Sequence, residues 1–195
     1  TNPHAPSGAV ADSGELKEVM IVARENGVNV VCDEIYAEFN RSSIPTVFSI
    51  DRKFGIVTTS FTKAYGLGGL KLGIGLTEKD LVTNLYKDTL NTVGNSPNIV
   101  SIIAAQLLIK AKEKLQEHRQ KWTLLKKETE EWLAEMKLTF FPNKLSVTYW
   151  VKLPVKDTYK WINQEGIPKY SLAPVPGTFF LFKNDYNLNI SNSVR

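Results

Sequence analysis

Lys63 is the residue of this sequence whose setting is most typical of a reactive amine. It follows a β-branched run at residues 56–59, which predicts a buried strand, and it precedes a glycine-rich stretch. Open α/β sheets bind their ligands just beyond the carboxyl ends of their strands. A lysine in that place can be desolvated enough to present a nucleophilic amine, as a Schiff base with a carbonyl cofactor requires. A surface-loop lysine is the alternative, and the neighbouring motifs decide against it.

Two further segments carry polar groups that could act together with this lysine. The strand predicted at residues 28–32 ends in Asp33-Glu-Ile-Tyr36, so the Asp33 and Tyr36 side chains can face one ligand beyond the sheet. A proline-punctuated turn, Asn2-Pro-His-Ala-Pro-Ser-Gly8, opens the chain before a helical stretch. The turn, the acid–tyrosine pair and the lysine therefore follow one another along the chain.

The ordered set of motifs resembles the class I/II aminotransferases of fold type I, which depend on pyridoxal 5'-phosphate. That family has an Asn-Pro-x-Asn-Pro-Thr-Gly turn, an Asp-x-x-Tyr pair, and Ser-x-Ser-Lys followed by Gly-x-x-Gly-x-Arg-x-Gly. Each motif has a counterpart here at a matching separation. The resemblance implies an α/β fold in which part of the large cofactor-binding domain, a mostly parallel sheet with helices, precedes an α+β small domain.

The resemblance also implies a role for each matching residue near the cofactor ring. Lys63 would hold pyridoxal 5'-phosphate as a Schiff base and then act as acid and base in the proton shift. Asp33 would pair with the pyridine nitrogen and keep it protonated, because a charged ring nitrogen makes the cofactor an electron sink. Tyr36 would donate a hydrogen bond to the phenolic oxygen of the cofactor.

The phosphate and the substrate are assigned to the remaining matches. Ser60, Thr62 and Lys71 would hold the phosphate, with Lys71 standing where the family has an arginine. Arg195 matches the arginine that grips the substrate α-carboxylate through a bidentate fork. Ala5 replaces the second asparagine of the opening turn, so it cannot form the hydrogen bonds that this asparagine makes to cofactor and substrate.

The match covers nearly all of this chain but only about the C-terminal half of the family fold. The upstream strands, the phosphate-cradling loop and the aromatic residue that stacks on the cofactor have no counterpart in the sequence. We therefore expect a fragment of a longer protein. Residues 1–108 would belong to the large domain, and residues 109–195 would form an interdomain helix and a truncated small domain.

Hydrophobic periodicity predicts the elements that must position these side chains. In the first part of the chain it indicates helices at residues 15–26 and 78–90 and strands of one sheet at 28–33, 56–60 and 70–76.

The second part of the chain has a different texture. Ser96-Pro97 predicts a helix start, and helical periodicity then runs to about residue 136 with a break near residues 110–114. An alternating strand is expected at residues 146–153, a short helix at 158–165 ended by Gly166, and another strand entry at Val175.

Composition and charge argue against several other classes of protein. Hydrophobic residues make up 43% of the chain and charged residues 23%, as in ordinary globular domains. The basic excess behind the net charge of +4 gathers at residues 110–127, where Glu113 and Glu117 interrupt it. This pattern favours a solvated amphipathic helix over a nucleic-acid site. The apolar stretch at residues 99–109 is too short to cross a bilayer.

The cysteine and the two histidines complete the inventory of reactive side chains. Cys32 is the only cysteine and lies in an apolar strand, so it can form no internal disulfide, which favours a cytoplasmic location. His4 and His118 are far apart in sequence with no cluster of further ligands at metal-binding spacing. We therefore expect no metal site.

Three functions are compatible with these residues. The first is transamination between an amino acid and a 2-oxo acid, in a homodimer as the resemblance implies. The second is another reaction of the same cofactor, such as decarboxylation or carbon–sulfur elimination. The third is a non-catalytic fragment or a degraded relative, which Ala5 favours.

Overall fold

The computed structural model describes residues 1–94, 97–141, 145–180 and 188–191 of the chain. These residues divide into two compact units. The first unit comprises Thr1–Pro3 and Val10–Gln120, and the second comprises His4–Ala9 and the chain from Lys121 onward. The expected domain boundary after residue 108 belongs to the family fold and stays a prediction.

The first unit begins with helix α1, Ser13–Glu25, whose start is specified by a capping box. One Asp12 carboxylate oxygen accepts hydrogen bonds from the Gly14 and Glu15 amides, at 2.7 and 2.9 Å. The Glu15 carboxylate in turn accepts from the Asp12 amide at 2.8 Å. Helical spacing then places three apolar side chains on one buried face, namely Leu16, Met20 and Ala23.

A three-stranded sheet follows, in the order β1-β2-β3. Strand β1 is Val30–Asp33, β2 is Gly55–Ser60 and β3 is Gly73–Leu76. Strands β1 and β2 are parallel, whereas β2 and β3 are antiparallel, so the sheet is mixed. The three predicted strands and the α/β class are confirmed, with the first and third strands shorter than expected.

The core of the first unit joins α1, the sheet and the short helix α2, Val47–Ile50. Met20, Cys32, Val47 and Val57 are buried together in one apolar cluster. The single cysteine of the chain is therefore buried in this core. Because this cluster lies behind β1 and β2, it fixes the two strands whose carboxyl ends carry the predicted site residues.

Helices α3, Lys79–Thr92, and α4, Asn98–Glu135, follow the sheet. The expected break in the second helix near residues 110–114 is wrong, because α4 runs through that segment without interruption. The segment holds Lys, Ala and Glu, which are strong helix formers, and no Gly or Pro that could end a helix. Ser96, the predicted cap of α4, lies outside the described residues. In the part of the chain that the structure describes, no helix is long and apolar enough to span a membrane.

The second unit contains an antiparallel sheet in the order β4-β5-β7-β6. Its strands are β4 Thr139–Phe140, β5 Thr148–Lys152, β6 Val175–Pro176 and β7 Leu188–Ser191. The strand entry predicted at Val175 is confirmed. Leu133, Tyr149, Val151 and Ile162 form the buried centre of this unit.

Strand β5 does not alternate between buried and exposed side chains as expected. Its first four residues are all buried. Tyr149 and Val151 face the apolar core, while the Thr148 hydroxyl donates to the Pro6 carbonyl at 3.3 Å and Trp150 packs against Phe180. Both faces of the strand are therefore covered, which removes the polar face that alternation would require.

The helix predicted at residues 158–165 continues past Gly166, so its expected end is wrong. Helix α5, Thr158–Trp161, passes through a π-helical turn, Ile162–Gly166, into α6, Ile167–Tyr170. A Cβ atom on Gly166 would lie 2.8 Å from the Leu172 carbonyl oxygen. The glycine therefore allows close packing within the helical segment instead of ending it.

Candidate active site

The carboxyl ends of β1 and β2 meet at one edge of the first sheet. Asp33, the last residue of β1, has Thr58 as its Cα partner, and the Glu34 amide donates to the Thr58 carbonyl at 2.8 Å. Ser60 is the last residue of β2 and is buried. One Asp33 carboxylate oxygen accepts from the Ile35 amide at 3.1 Å, which orients the acid at this edge.

The segment after β2 carries a cluster of hydroxyl groups next to Lys63. The Ser60 and Thr62 hydroxyl oxygens lie 2.6 Å apart, and the Thr62 amide donates to the Ser60 hydroxyl oxygen at 3.2 Å. Two backbone hydrogen bonds then close a loop at residues 61–67, which we call the Lys63 loop. The Gly66 amide donates to the Lys63 carbonyl and the Leu67 amide to the Phe61 carbonyl, both at 3.0 Å.

Lys63 and Tyr36 face one another across this edge. The Lys63 Nζ atom lies 5.7 Å from the centroid of the Tyr36 ring, within the range of a cation–π contact. Tyr36 immediately precedes the 3₁₀ turn Ala37–Phe39, which continues from β1. The amine and the phenol therefore come from the ends of two neighbouring parallel strands.

Lys71 reaches the same edge through β3. Gly73 is the Cα partner of Ser60, and Lys71 lies two residues before it. Lys71 adopts a left-handed backbone conformation, with φ 50° and ψ 38°, directly after the 3₁₀ turn Gly68–Leu70. A non-glycine residue in this conformation is uncommon, and here it joins the glycine turn to β3.

The opening turn contributes to each unit separately. In the first unit Asn2 is buried. Its backbone amide donates to the Asp33 carbonyl at 2.9 Å, and its side-chain oxygen accepts from the Ala11 backbone amide at 3.0 Å. Asn2 therefore secures the end of β1. In the second unit, Ala5 lies in a turn that the His4 carbonyl closes by accepting from the Gly8 amide at 2.7 Å.

A chain of ion pairs stabilises the segment that contains Tyr36. Glu34 is 1% exposed, and its carboxylate pairs with the Arg41 guanidinium at 2.6 Å. Arg41 also bonds the Glu38 carboxylate at 2.8 Å, and Arg119 of α4 donates from Nε to the Glu38 carbonyl at 2.7 Å. Burial alone would lower the pKa of Arg41, but its hydrogen bonds to Glu38 and Glu34 outweigh burial and raise that pKa.

His118 of α4 contacts the Lys63 loop. Its Nδ1 atom lies 3.0 Å from the carbonyl oxygen of Ala64, the residue after Lys63. A Cβ atom on Gly66 would lie 2.7 Å from His118 Cε1, so the imidazole ring occupies the space beside the glycine. Burial, followed by the charge of Glu38, raises the pKa of the neighbouring Tyr65 phenol.

The structure thus brings six of the seven predicted site residues to one sheet edge: Lys63, Asp33, Tyr36, Ser60, Thr62 and Lys71. Arg195 lies outside the described residues. Sequence reasoning missed His118 and Arg119, whose contacts join residues 54 and 81 positions apart and leave no local signal. The Glu38–Arg41 pair, three residues apart, could have been noticed from its spacing.

The groups at this edge fit pyridoxal 5'-phosphate. Paired hydroxyls at Ser60 and Thr62, with a cation at Lys71, match the acceptor oxygens and charge of a phosphate. The Lys63 amine suits the carbonyl carbon of the cofactor, and the Asp33 carboxylate suits a protonated ring nitrogen. Among the described residues, no group of three or more His, Cys, Asp or Glu side chains could hold a metal ion.

Comparison with known proteins identifies aminotransferases of similar sequence. The chain is 30% identical over 170 residues to histidinol-phosphate aminotransferase 2 of Haemophilus influenzae, covering 85% of this chain and 45% of that protein. It is 34% identical over 115 residues to the aromatic amino acid aminotransferase of Mycobacterium sp. strain KMS, covering 55% of this chain and 32% of that protein.

Solved structures share the fold at lower identity. The aromatic aminotransferase from Pyrococcus horikoshii OT3 aligns with a TM-score of 0.85 at 21% identity, over 99% of this chain and 54% of its own. An aminotransferase from Staphylococcus aureus aligns with a TM-score of 0.86 at 20% identity, over 99% and 52%. The chain spans about half the length of the proteins that it matches. The family model for aminotransferase class I and II matches residues 1–192, and the chain belongs to that family.

Proposed function

We propose that the protein is a pyridoxal 5'-phosphate-dependent transaminase that moves an amino group between an amino acid and a 2-oxo acid. One observation carries the proposal. The Lys63 Nζ atom lies 5.7 Å from the centroid of the Tyr36 ring at the sheet edge where β1 ends in Asp33, which supports a shared role for these three residues. Membership of the aminotransferase family gives the reaction class.

The side chains of this chain then have separate tasks. When bound, pyridoxal 5'-phosphate supplies an electron sink that stabilises negative charge on the substrate α-carbon. Lys63 Nζ would accept the proton from that carbon and later donate it, so it would act first as a base and then as an acid. The Asp33 carboxylate keeps a proton on the ring nitrogen, and the Tyr36 hydroxyl donates to the phenolic oxygen.

The anchoring groups have different strengths. The Ser60 and Thr62 hydroxyls can donate to phosphate oxygens, and their mutual contact of 2.6 Å holds them on one side of the strand end. Lys71 contributes a point charge without the planar two-donor geometry of arginine, so it binds phosphate less rigidly. We assign the substrate α-carboxylate to Arg195 on the strength of the family motif.

The family also supports the wider proposals about the protein. Two relatives are named for histidinol phosphate and for aromatic amino acids, so we propose an amino acid as donor without choosing between these classes. We also propose a homodimer and a cytoplasmic location, by analogy with other members of the family. The buried single thiol of Cys32 is consistent with a reducing compartment.

A non-catalytic relative is the second candidate, and Ala5 favours it. Alanine at this position removes two hydrogen bonds, one to the cofactor and one to the substrate, that an asparagine would make.

One experiment separates the two candidates. Pyridoxal 5'-phosphate is added to the purified protein, and absorbance near the visible edge is followed before and after borohydride reduction. We expect a new band, a cofactor adduct on Lys63 in the peptide map, and conversion of the band by an amino acid. A band that no amino acid converts supports the non-catalytic relative, and an adduct on another lysine contradicts both the site and the proposed function.

A further inference from the structure

We propose that His118 and Arg119, neighbouring residues on α4, are positioning residues that hold the Lys63 loop and the segment of Asp33 and Tyr36 in register. The inference rests on the proposed function, because it assigns these residues to the geometry of that reaction. Neither side chain needs to touch cofactor or substrate. His118 acts through Ala64, and Arg119 acts through Glu38.

The first contact requires a hydrogen on the Nδ1 atom of His118. A carbonyl oxygen only accepts hydrogen bonds, so the Nδ1 atom of His118, 3.0 Å from the Ala64 oxygen, must carry the hydrogen. The bond therefore exists in the neutral Nδ1–H form of the ring and also in the doubly protonated form. Because Ala64 directly follows Lys63, this bond restrains the backbone that carries the amine.

The second contact restrains the same loop from its other end. Gly66 has φ +69°, a conformation that side-chain-bearing residues rarely adopt, and its amide closes the turn on the Lys63 carbonyl. The His118 ring fills the space beside this glycine, since a Cβ atom there would approach Cε1 to 2.7 Å. One imidazole ring therefore bonds the loop at Ala64 and packs against it at Gly66.

The third contact secures the segment that carries Tyr36. Arg119 donates from Nε to the Glu38 carbonyl at 2.7 Å, and its terminal nitrogen lies 3.6 Å from the Glu38 carboxylate. Glu38 is also held by Arg41, which pairs with the buried Glu34 between Asp33 and Tyr36. Arg119 thereby joins a network that reaches both of these site residues.

These contacts come from two consecutive residues of one rigid helix. The Lys63 Nζ atom lies 5.7 Å from the centroid of the Tyr36 ring, and the two residues belong to different loops, so their relative position depends on how both loops are held. A misplacement of about 1 Å in a reacting group can cost about 100-fold in rate. A helix that fixes both loops supplies the placement that neither short loop could maintain alone.

The test uses matched substitutions of His118 in the purified protein. His118→Leu removes the hydrogen bond to Ala64, whereas His118→Asn can keep an amide N–H near the position of Nδ1. We expect His118→Leu to lower kcat by about 10- to 100-fold with a smaller change in KM. We expect His118→Asn to recover most of the rate, and Lys127→Ala, in an exposed pair with Glu131 farther along α4, to change nothing.

Two readouts separate positioning from a purely structural role. Amide hydrogen exchange without cofactor should quicken at Gly66 and Leu67 in His118→Leu, while Val57 in the core keeps its protection. With cofactor, the pH midpoint of the visible band should shift in His118→Leu and return in His118→Asn. Arg119→Lys, which keeps the charge and loses Nε, should shift the same midpoint without quickening exchange at Gly66.

The outcomes are distinct for the two proposals. Unchanged exchange at Gly66 and Leu67 in His118→Leu overturns the positioning inference, whether or not the protein is active. Uniformly faster exchange, including at Val57, also overturns it, because the residue would then support the fold alone. Absence of any cofactor adduct on Lys63 in the unsubstituted protein defeats the proposed function, whereas localised exchange in that case would still show that His118 holds the loop.

Discussion

A guanidinium nitrogen of Arg41 lies 2.6 Å from a carboxylate oxygen of Glu34. The Glu34 side chain of this ion pair is 1% exposed and the Arg41 side chain is 28% exposed. The second carboxylate oxygen of Glu34 has no hydrogen-bond partner among the described residues. A buried charge with one partner depends heavily on that partner, because removing it leaves an uncompensated charge in a region of low dielectric constant. Glu34 lies between Asp33 and Tyr36 in the chain, so we expect the stability of the site to depend on this pair.

Arg41→Met should therefore lower the free energy of unfolding by about 3–5 kcal/mol, the usual cost of breaking a buried pair. The measurement is urea unfolding of the purified protein. The dependence of the free energy of unfolding on urea concentration should be the same in all variants. Replacing both partners, Glu34→Gln with Arg41→Met, should recover much of the loss because no charge stays buried. A loss in Arg41→Met no larger than that of Lys114→Met, in an exposed pair, would mean that water reaches Glu34.

The Asp33 carboxylate should matter for turnover more than for cofactor attachment. Asp33→Asn keeps an oxygen that can accept from the Ile35 amide, so the strand end should be preserved while the charge is lost. We expect the adduct on Lys63 to persist. We expect the activation free energy of turnover to rise by about 2.7–4 kcal/mol, as for other preorganised charge stabilisers. Asp33→Ala should behave similarly in single-turnover assays. Near-normal turnover in both variants would mean that another acid pairs with the ring nitrogen.

Sequence patterns predicted the strands and the order of the site residues because both signals are local. A β-branched run marks β2, and the residues that follow it fall at the sheet edge whatever packs behind them. The motif positions of Asp33 and Lys63 therefore needed no knowledge of tertiary contacts. The bond between His118 and Ala64 spans 54 residues and depends on where α4 lies, which no local pattern encodes.

The errors have the same physical origin. The sequence predicts a helix end at Gly166 because glycine is typical of the position just after a helix. The structure gives another reason for this glycine, namely the close approach of the Leu172 carbonyl oxygen. The expected alternation in β5 failed because tertiary contacts bury both faces of the strand. In each case packing between distant segments overrode a local preference.

Ala5→Asn tests whether the departure in the opening turn limits activity. The added side chain should supply hydrogen bonds to cofactor and substrate, each worth about 0.5–1.5 kcal/mol for neutral groups. We expect tighter amino-acid binding and a faster half-reaction, measured as single-turnover conversion of the visible band with several amino acids. Ala5→Ser is the control, because the serine side chain is shorter than that of asparagine. Slower conversion in Ala5→Asn would show that the site is adapted to alanine.

Lys126, Glu130 and Tyr149 form a closed triangle of contacts in the second unit. The Tyr149 hydroxyl donates to the Glu130 carboxylate at 2.7 Å, and Lys126 Nζ lies 2.6 Å from that carboxylate and 2.7 Å from the Tyr149 oxygen. Burial, reinforced by the hydrogen bond to Glu130, raises the pKa of Tyr149 far above its ordinary value. Burial alone would raise the pKa of Glu130, but the hydrogen bonds from Lys126 and Tyr149 outweigh it and lower that pKa.

These opposite shifts predict a two-sided dependence of stability on pH. The lowered pKa of Glu130 means that its contribution is present above pH 4.5, the ordinary value, and is lost as the solution becomes more acidic. The raised pKa of Tyr149 means that its contribution is present below pH 10.0 and is lost as the solution becomes more alkaline. Urea unfolding from below pH 4.5 to above pH 10.0 should show the acid decline reduced in Glu130→Gln and the alkaline decline reduced in Tyr149→Phe. Glu131→Gln and Tyr170→Phe, which alter exposed side chains, should keep both declines, and equal effects in these controls would contradict the assignment.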